Sequence, residues 1–154
     1  MRELFECEYK KVEKSLFLVA IAYLHNTEDA KDAVQEAALS AYQSFARLKN
    51  IAYFKTWITR IVINKSIDFQ KKRRYSAELT DSINAFYDMP VDDMEILDAI
   101  CRIGSELSVY ISLRFYNGMT YEETAKALRQ PVSTVKYRTG KALKKLKTIL
   151  EGEE

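Results

Sequence analysis

The sequence contains little glycine and proline, with only four Gly and two Pro in 154 residues. Sheet-rich folds need glycine-containing turns at short intervals, and Gly-rich phosphate-binding loops need clustered glycines that this sequence does not have. Helices need few such breakers, so the composition, 47% hydrophobic and 30% charged, predicts an all-α fold. The length fits one ordinary domain or two small ones.

Side chains that carry catalysis or bind metals are also scarce. The two cysteines, Cys7 and Cys101, lie far apart with no Cys/His cluster around them, which disfavours a disulfide framework and a zinc site. The single histidine, His25, stands beside Asn26 where a helix should end, which favours a helix C-terminal role over catalysis. No nucleophile elbow surrounds it. We therefore expect no enzyme, no metal site, no cofactor and no small-molecule substrate.

Long apolar runs are missing as well. No stretch of 18 apolar residues is available to span a bilayer, and the first residues do not have the pattern of a signal peptide. These features predict a cytoplasmic protein.

The formal net charge of +2 conceals an uneven distribution of charge. Residues 1–75 carry 14 Lys/Arg and 9 Asp/Glu, residues 76–98 carry 7 Asp/Glu and no Lys/Arg, and residues 99–154 carry 10 Lys/Arg and 6 Asp/Glu. Two basic segments flanking an acidic one suggest two modules that share a polyanionic partner; the alternative is ordinary solvated surface. Helical periodicity divides the chain similarly, so we predict helical modules at 1–75 and 95–154 joined by an acidic linker at 76–94.

Apolar spacing predicts three helices in the first module, beginning near residues 3, 27 and 54. Asn26 or Thr27 can cap the second of them. The predicted buried stripe of this helix comprises Ala30, Val34, Ala37, Ala38, Ala41, Tyr42 and Phe45. Its opposite face offers Asp32, Gln35, Glu36 and Leu39. A short basic loop, Lys49 to Tyr53, precedes the third helix, which is apolar almost all round, so that Trp57 is either core or a stacking platform for a base.

The most specific pattern lies in the second module. Thr120 and Glu123 are spaced as a capping box, and the short helix that they begin is followed by a break at Pro131. Ser133 or Thr134 can start a longer helix that buries Val135, Ala142, Leu143, Leu146 and Ile149. Its outward residues are Lys136, Tyr137, Arg138, Lys141, Lys144 and Lys145. A short helix, a tight turn and a longer basic helix form a helix-turn-helix, whose cations contact phosphates and read guanine. The alternative is an amphipathic helix with a solvated lysine face.

Three blocks, in this order, resemble sigma factors of the sigma-70 family, specifically the extracytoplasmic-function group. The block TEDAKDAVQEAALSAYQSF is similar to the family's polymerase-binding helix, and FKTWITRIVINKSIDFQKKRR is similar to its promoter-melting and −10 helix. LRFYNGMTYEETAKAL followed by STVKYRTGKALKKL is similar to its −35-binding helix-turn-helix. Departures from the usual pattern occur at Gly104, Ser108, Ser112, Thr139 and Gly140, and those in the last helix leave its DNA specificity less defined than its fold.

The resemblance implies a dissociable RNA polymerase subunit that binds the core enzyme and promoter DNA and directs promoter recognition and DNA melting. It also implies a membrane-anchored anti-sigma factor as a further partner. The residues expected to bind core polymerase are Asp32, Gln35, Glu36 and Leu39. Those expected at the −10 element are Lys49, Asn50, Ile51, Ala52, Tyr53, Arg60, Asn64 and Lys65. Those expected at the −35 element are Ser133, Thr134, Lys136, Tyr137, Arg138 and Lys141.

Two functions of other classes remain alternatives at this point. One is a stand-alone helix-turn-helix repressor or activator whose first module senses a signal or dimerises. The other is a helical adaptor that binds only protein. A palindromic operator would favour the repressor, whereas a neighbouring gene for a membrane-anchored anti-sigma protein would favour the sigma factor.

Overall fold

The computed structural model describes residues 1–76 and 94–152, and every regular element in this part of the chain is helical. The α-helices are α1 (Arg2–Leu24), α2 (Thr27–Ser44), α3 (Phe54–Ser76), α4 (Met94–Ile103), α5 (Ser105–Ile111), α6 (Tyr121–Leu128) and α7 (Val132–Leu150). Short 3-10 turns at Phe45–Arg47 and Ile51–Tyr53 connect α2 to α3, and a π-helical turn at Ser112–Tyr116 follows α5. The all-α prediction is confirmed.

The junction between α1 and α2 is made by two neighbouring residues. His25 ends α1 in the left-handed conformation, with φ 50°, and its backbone N–H donates to the carbonyl of Ile21. Asn26 begins α2, because its side-chain oxygen accepts the backbone N–H of Asp29 at 2.9 Å. The helix-end position expected for His25 is confirmed, and Asn26 is the cap of the second helix.

The helix-turn-helix is built from local signals that the sequence displays. Thr120 and Glu123 form the reciprocal capping box, with both hydrogen bonds present. Arg129 ends α6 in the left-handed conformation, and Pro131 is the N-cap of α7. The prediction that Ser133 or Thr134 starts α7 is wrong by one or two residues. The carbonyl of Pro131 already accepts the N–H of Val135, so both residues lie inside the first turn.

The acidic linker predicted at 76–94 lies almost entirely outside the described residues. At its ends, Ser76 is the last residue of α3 and Met94 is the first residue of α4.

The two helical modules pack directly against each other in the described structure. Val109, Leu113 and Met119 of the second module are buried in the same apolar cluster as Leu16 of α1 and Ile58 of α3. A separate small cluster around Ile100, Ile103, Ile111 and Ala142 belongs to the second module alone. The main apolar core of the protein is therefore shared between the modules.

Buried polar contacts accompany this shared core. The Ser108 hydroxyl donates to the Ala22 carbonyl at 3.0 Å, and the Ser112 hydroxyl donates to the Leu18 carbonyl at 3.3 Å. Both serines are fully buried, so their small side chains let α5 and the following turn approach α1 closely. Ser108 and Ser112 are two of the departures from the family pattern, and this packing gives a structural reason for both.

Side chains from other elements also cap the C-terminal end of α1. The last carbonyl groups of a helix have no partner inside the helix. The Tyr23 carbonyl accepts the Gln70 side-chain amide of α3 at 2.7 Å, and the Ala22 carbonyl accepts Ser108 of α5. The end of α1 is thus held by α3 of its own module and by α5 of the other.

Glu123 joins the capping box to the contact between the modules. Its carboxylate accepts the Thr120 backbone N–H at 3.0 Å and the Thr56 hydroxyl of α3 at 3.2 Å. The backbone hydrogen bond from Thr120 is the main cause that holds the pKa of Glu123 below its usual value. A carboxylate with a lowered pKa stabilises the folded state above the unfolded pKa, and this stabilisation is lost as pH falls through the folded pKa.

We expect Glu123→Gln to reduce the loss of unfolding free energy as the pH is lowered. The variant keeps the shape of the side chain but has no charge to titrate, so its unfolding free energy will fall less than that of the parent below about pH 4.5. Urea unfolding monitored by circular dichroism between pH 7 and pH 3 measures this. Glu122→Gln, an exposed neighbour outside these contacts, is the matched control. Equal acid sensitivity of parent and Glu123→Gln would contradict the assignment.

Candidate nucleic-acid and protein-docking surfaces

The outward residues predicted on α2 form one continuous surface. Asp32, Gln35, Glu36 and Leu39 are spaced i, i+3, i+4 and i+7, and all four are exposed; we call this surface the docking face. Leu39 is 60% exposed, which is unusual for a leucine on a helix that packs well on its other side. Within the described residues, Asp32 and Glu36 have no ion-pair partner. An apolar residue flanked by free carboxylates suits a partner surface that is basic and partly apolar.

Tyr42 extends the docking face by one turn. The prediction that it lies in the buried stripe of α2 is wrong. Tyr42 is 45% exposed, and its ring contacts Phe5 edge-on at 5.3 Å between centroids. Tyr42 lies beside the beginning of α1 and is only partly covered there. The signal that could have found it is its spacing, because it follows Leu39 by three residues on the same side of the helix.

Residues 49–53, the exposed loop, connect α2 to α3. Lys49, Asn50, Ile51, Ala52 and Tyr53 are all exposed, as expected for a nucleic-acid contact. The loop is nevertheless ordered by its own contacts. The Asn50 side-chain oxygen accepts the Ala52 N–H at 3.0 Å, and the Asn50 carbonyl accepts the Tyr53 N–H at 3.0 Å. This closes a 3-10 turn that presents apolar and aromatic side chains to solvent.

An aromatic cluster is formed by residues on both sides of the exposed loop in the sequence. Phe54 is buried and its ring packs edge-on against Phe5 and Phe45, at 5.6 Å and 5.9 Å between centroids. Trp57 is half-buried and lies 5.8 Å from Phe54 and 6.5 Å from Phe45. Of the two interpretations of Trp57, its packing favours the core. Aromatic rings in such contacts make a rigid base for a loop.

The polar residues predicted at the −10 element on α3 differ in exposure. Arg60 and Asn64 are one turn apart, with Asn64 exposed and Arg60 half-buried, and Lys65 follows Asn64 on the next face. Next to Arg60, the buried Thr59 hydroxyl accepts the Asn117 side-chain amide at 3.0 Å. Arg60 therefore follows a residue that contacts the second module, and Arg60, Asn64 and Lys65 lie on the helix that begins directly after the exposed loop.

The residues predicted on α7 project from its outer side. Ser133, Tyr137 and Lys141 are spaced i, i+4 and i+8 and form the central row, in which Tyr137 is 70% exposed. Thr134 and Arg138 form the adjacent row. Lys136 lies on the other side, with its ammonium 5.7 Å from the Tyr121 ring centroid. We call these six residues the α7 face.

The inner side of α7 differs in part from the sequence prediction. Val135, Thr139 and Ala142 are buried, whereas Leu143, predicted to point inward, is 39% exposed. The buried row is spaced i, i+4 and i+7, which leaves the next position turned away from the core. Gly140 on the outer side has nothing within 4 Å of the position that a Cβ would occupy, so the α7 face is bare between Tyr137 and Lys144.

The described residues contain no group of three or more His, Cys, Asp or Glu side chains that could hold a metal ion. Cys7 and Cys101 are free thiols, and burial raises the pKa of Cys101 to about 12. Within residues 1–76 and 94–152, no helix combines the length and the apolar character needed to cross a membrane.

Comparison with known proteins matches two family models to separate parts of the chain. The model of the family described as Sigma-70 region 2 matches residues 9–75, and that described as Sigma-70, region 4 matches residues 93–146. The RNA polymerase sigma factor SigV of Bacillus subtilis is 27% identical over 146 residues, covering 92% of this chain and 88% of that protein. The ECF RNA polymerase sigma factor SigM of Mycobacterium tuberculosis is 27% identical over 157 residues, covering 97% of this chain and 78% of that protein.

Solved structures share the fold. The Bartonella quintana sigma factor RpoE, solved in complex with the anti-sigma factor NepR, has a TM-score of 0.80 at 22% identity, over 97% of this chain and 98% of that one. CnrH, solved in complex with the cytosolic domain of CnrY, has a TM-score of 0.74 at 20% identity, over 100% of this chain and 92% of that one.

The chain has two helical modules, the second of which contains a helix-turn-helix, and the models of both sigma-70 regions match it. This is the architecture of a sigma factor. The chain belongs to the sigma-70 family, in its extracytoplasmic-function group. It acts in promoter-directed initiation of transcription, and the family consists of initiation factors without enzymatic activity of their own.

Proposed function

We propose that three surfaces of the chain divide the work of initiation. The docking face on α2 binds core RNA polymerase, the exposed loop with Arg60, Asn64 and Lys65 binds the −10 element, and the α7 face binds the −35 element. The single observation that carries this proposal is that most residues of all three predicted sets are exposed, while the opposite sides of α2 and α7 face the core. In vitro transcription with purified core polymerase on genomic fragments tests it. Discrete transcripts that need this chain are expected.

The same experiment distinguishes the other classes of function. A stand-alone repressor or activator would bind a palindromic operator without core polymerase and would not support transcription by the core enzyme. An adaptor that binds only protein would neither bind DNA nor support the synthesis of transcripts. Either result would contradict the proposal.

The exposed loop is suited to hold a base taken out of the −10 duplex. Unstacking a base costs a few kcal/mol, and stacking on an aromatic side chain returns about 1–3 kcal/mol. Tyr53, 65% exposed at the end of the turn, offers an aromatic face, and Lys49 offers a phosphate contact. Because Asn50 closes the turn internally, its role in this proposal is to hold the loop in shape as well as to border the base.

We expect Asn50→Ala to impair open-complex formation several-fold while leaving binding at the −35 element intact. The variant removes the acceptor for the Ala52 N–H, and loss of such a cap costs about 0.5–2 kcal/mol. Permanganate footprinting of unpaired thymines on a heparin-challenged complex measures melting. Asn50→Ser keeps an acceptor oxygen without adding a charge beside the DNA, and it is the matched control for the turn. Normal melting by Asn50→Ala would place base capture elsewhere.

Further properties belong to the same proposal. Because its partners are core polymerase and promoter DNA, we place the chain in the cytoplasm, and we assign it no catalysis of its own. The two structural neighbours were solved with an anti-sigma factor and with the cytosolic domain of a partner protein, which supports an anti-sigma factor, anchored in the membrane, as the regulator of this chain. Co-purification with the product of a neighbouring gene tests that assignment.

A further inference from the structure

A buried tyrosine of α5 is linked to an arginine of the α7 face. Tyr110 is 2% exposed, and its hydroxyl accepts a hydrogen bond from the Arg138 guanidinium at 3.1 Å. The same hydroxyl donates to the side-chain oxygen of Gln130, in the turn between α6 and α7, at 2.6 Å. One phenol therefore connects α5, the turn of the helix-turn-helix and α7.

The phenol is held in place by the packing of its ring. The ring packs in a small cluster with Ala125 of α6 and Val135 of α7, both buried. The backbone N–H of Gln130 donates to the Ala125 carbonyl at 3.0 Å, which fixes the acceptor of the phenol as well. The acceptor of the phenol proton thus belongs to a residue whose backbone is held by the helix-turn-helix itself.

Arg138 keeps most of its hydrogen-bonding capacity in this arrangement. A guanidinium has five N–H donors, and Tyr110 uses one of them. Arg138 is otherwise exposed, so the remaining donors are open to a ligand from solvent. An arginine side chain is flexible when free, and a group ordered before binding loses less conformational entropy when it binds.

A cavity beside the tyrosine gives the Arg138 side chain room to move. The cavity has a volume of about 470 Å³ and is lined by Tyr23, Tyr110, Tyr137, Arg138 and Lys141, among others. Its size gives an untethered guanidinium room to turn away from the outer side of α7. The hydrogen bond to Tyr110 restricts the guanidinium to one of the orientations that this room allows.

We propose that Tyr110 is a positioning residue that orients Arg138 to read one base pair of the −35 element, with Gln130 orienting the phenol. The inference rests on the proposed binding of DNA by the α7 face and adds a residue that does not itself contact DNA. Arginine reads guanine through two parallel hydrogen bonds, so its selectivity depends on the angle of the guanidinium as well as on its charge.

The test uses Tyr110→Phe in the full chain, assembled with core polymerase, on promoters randomised across the −35 element. The measured quantity is the ratio of affinities for the preferred and the substituted base pair. This ratio does not depend on the fraction of correctly folded protein, so a loss of stability alone does not change it. A bidentate contact discriminates about 5- to 150-fold, and we expect Arg138→Ala and Tyr110→Phe to lose preference at the same base pair. The double variant should lose no more than Arg138→Ala alone.

Tyr23→Phe is the matched control, because it removes another phenol hydroxyl from the same cavity and should leave the preference unchanged. The inference is overturned if Tyr110→Phe keeps the full preference, or if it binds the preferred sequence more tightly, since the contact would then restrain Arg138 from DNA. A wild-type complex with no preference anywhere in the −35 element would instead contradict the proposed role of the α7 face. The preference of the wild-type complex thus separates failure of the proposed function from failure of this inference, which the Tyr110→Phe variant tests.

Discussion

Replacing Asp32 and Glu36 together by lysine is expected to abolish binding of this chain to core RNA polymerase. The two carboxylates lie one turn apart on the docking face and have no ion-pair partner among the described residues, so reversing their charge breaks no ion pair described in the fold. Against a basic partner surface, breaking such desolvated charge contacts costs about 2–5 kcal/mol or more per contact, and reversal adds repulsion. A fluorescence titration of labelled protein with core polymerase measures the affinity.

Two controls define this result. The helical circular dichroism signal of the variant should equal that of the parent, because both side chains are exposed on the outer side of α2. Glu122→Lys with Glu151→Lys changes the net charge equally through exposed residues of the second module and should retain binding. If the Asp32/Glu36 variant binds core polymerase with the parent's affinity, the docking face has been misassigned.

Leu113→Ala is expected to destabilise both modules at once. Leu113 belongs to the second module but is fully buried in the core that the two modules share. Truncation of a buried leucine to alanine costs about 2–5 kcal/mol, depending on how far the cavity collapses. Trp57 is the only tryptophan and lies in the first module, whereas the substitution is in the second. Its fluorescence therefore reports on unfolding of the first module.

Urea unfolding followed by Trp57 fluorescence and by circular dichroism measures the coupling. We expect the two transitions to coincide in the parent and to shift together in Leu113→Ala. Leu146→Ala, which removes the same atoms from a partly buried site in the cluster internal to the second module, should shift them less. A Trp57 transition that stays at the parent's midpoint in Leu113→Ala would show that the modules unfold independently.

The elements that the sequence predicted well depend on neighbouring residues. Asn26 and the Thr120–Glu123 pair determine helix starts through hydrogen bonds that span three positions, so their pattern is visible in the sequence. The docking face was predictable for a similar reason, because the buried stripe of α2 leaves its opposite side to solvent.

The elements that the sequence did not predict depend on residues distant along the chain. The exposure of Tyr42 depends on how α1 covers it, and the packing of Ser108 and Ser112 depends on carbonyl groups in another module. In the sequence the two serines are only unusual residues at those positions. The hydrogen bond from Arg138 to Tyr110 also joins separate helices. The sequence therefore predicts which residues form the α7 face, but not which of them is held by a contact with another helix.

The capped end of α1 has a consequence for motion. The end of a helix usually opens before its middle, because its last carbonyl groups lack partners. Here Gln70 and Ser108 hold the carbonyls of Tyr23 and Ala22 from two sides. Fraying of α1 therefore requires α3 and α5 to release it, so the last turn of this helix is as protected from local opening as the contact between the modules. An event that separates the modules removes the hydrogen bond from Ser108 but leaves the one from Gln70, so this turn is then held from its own module alone.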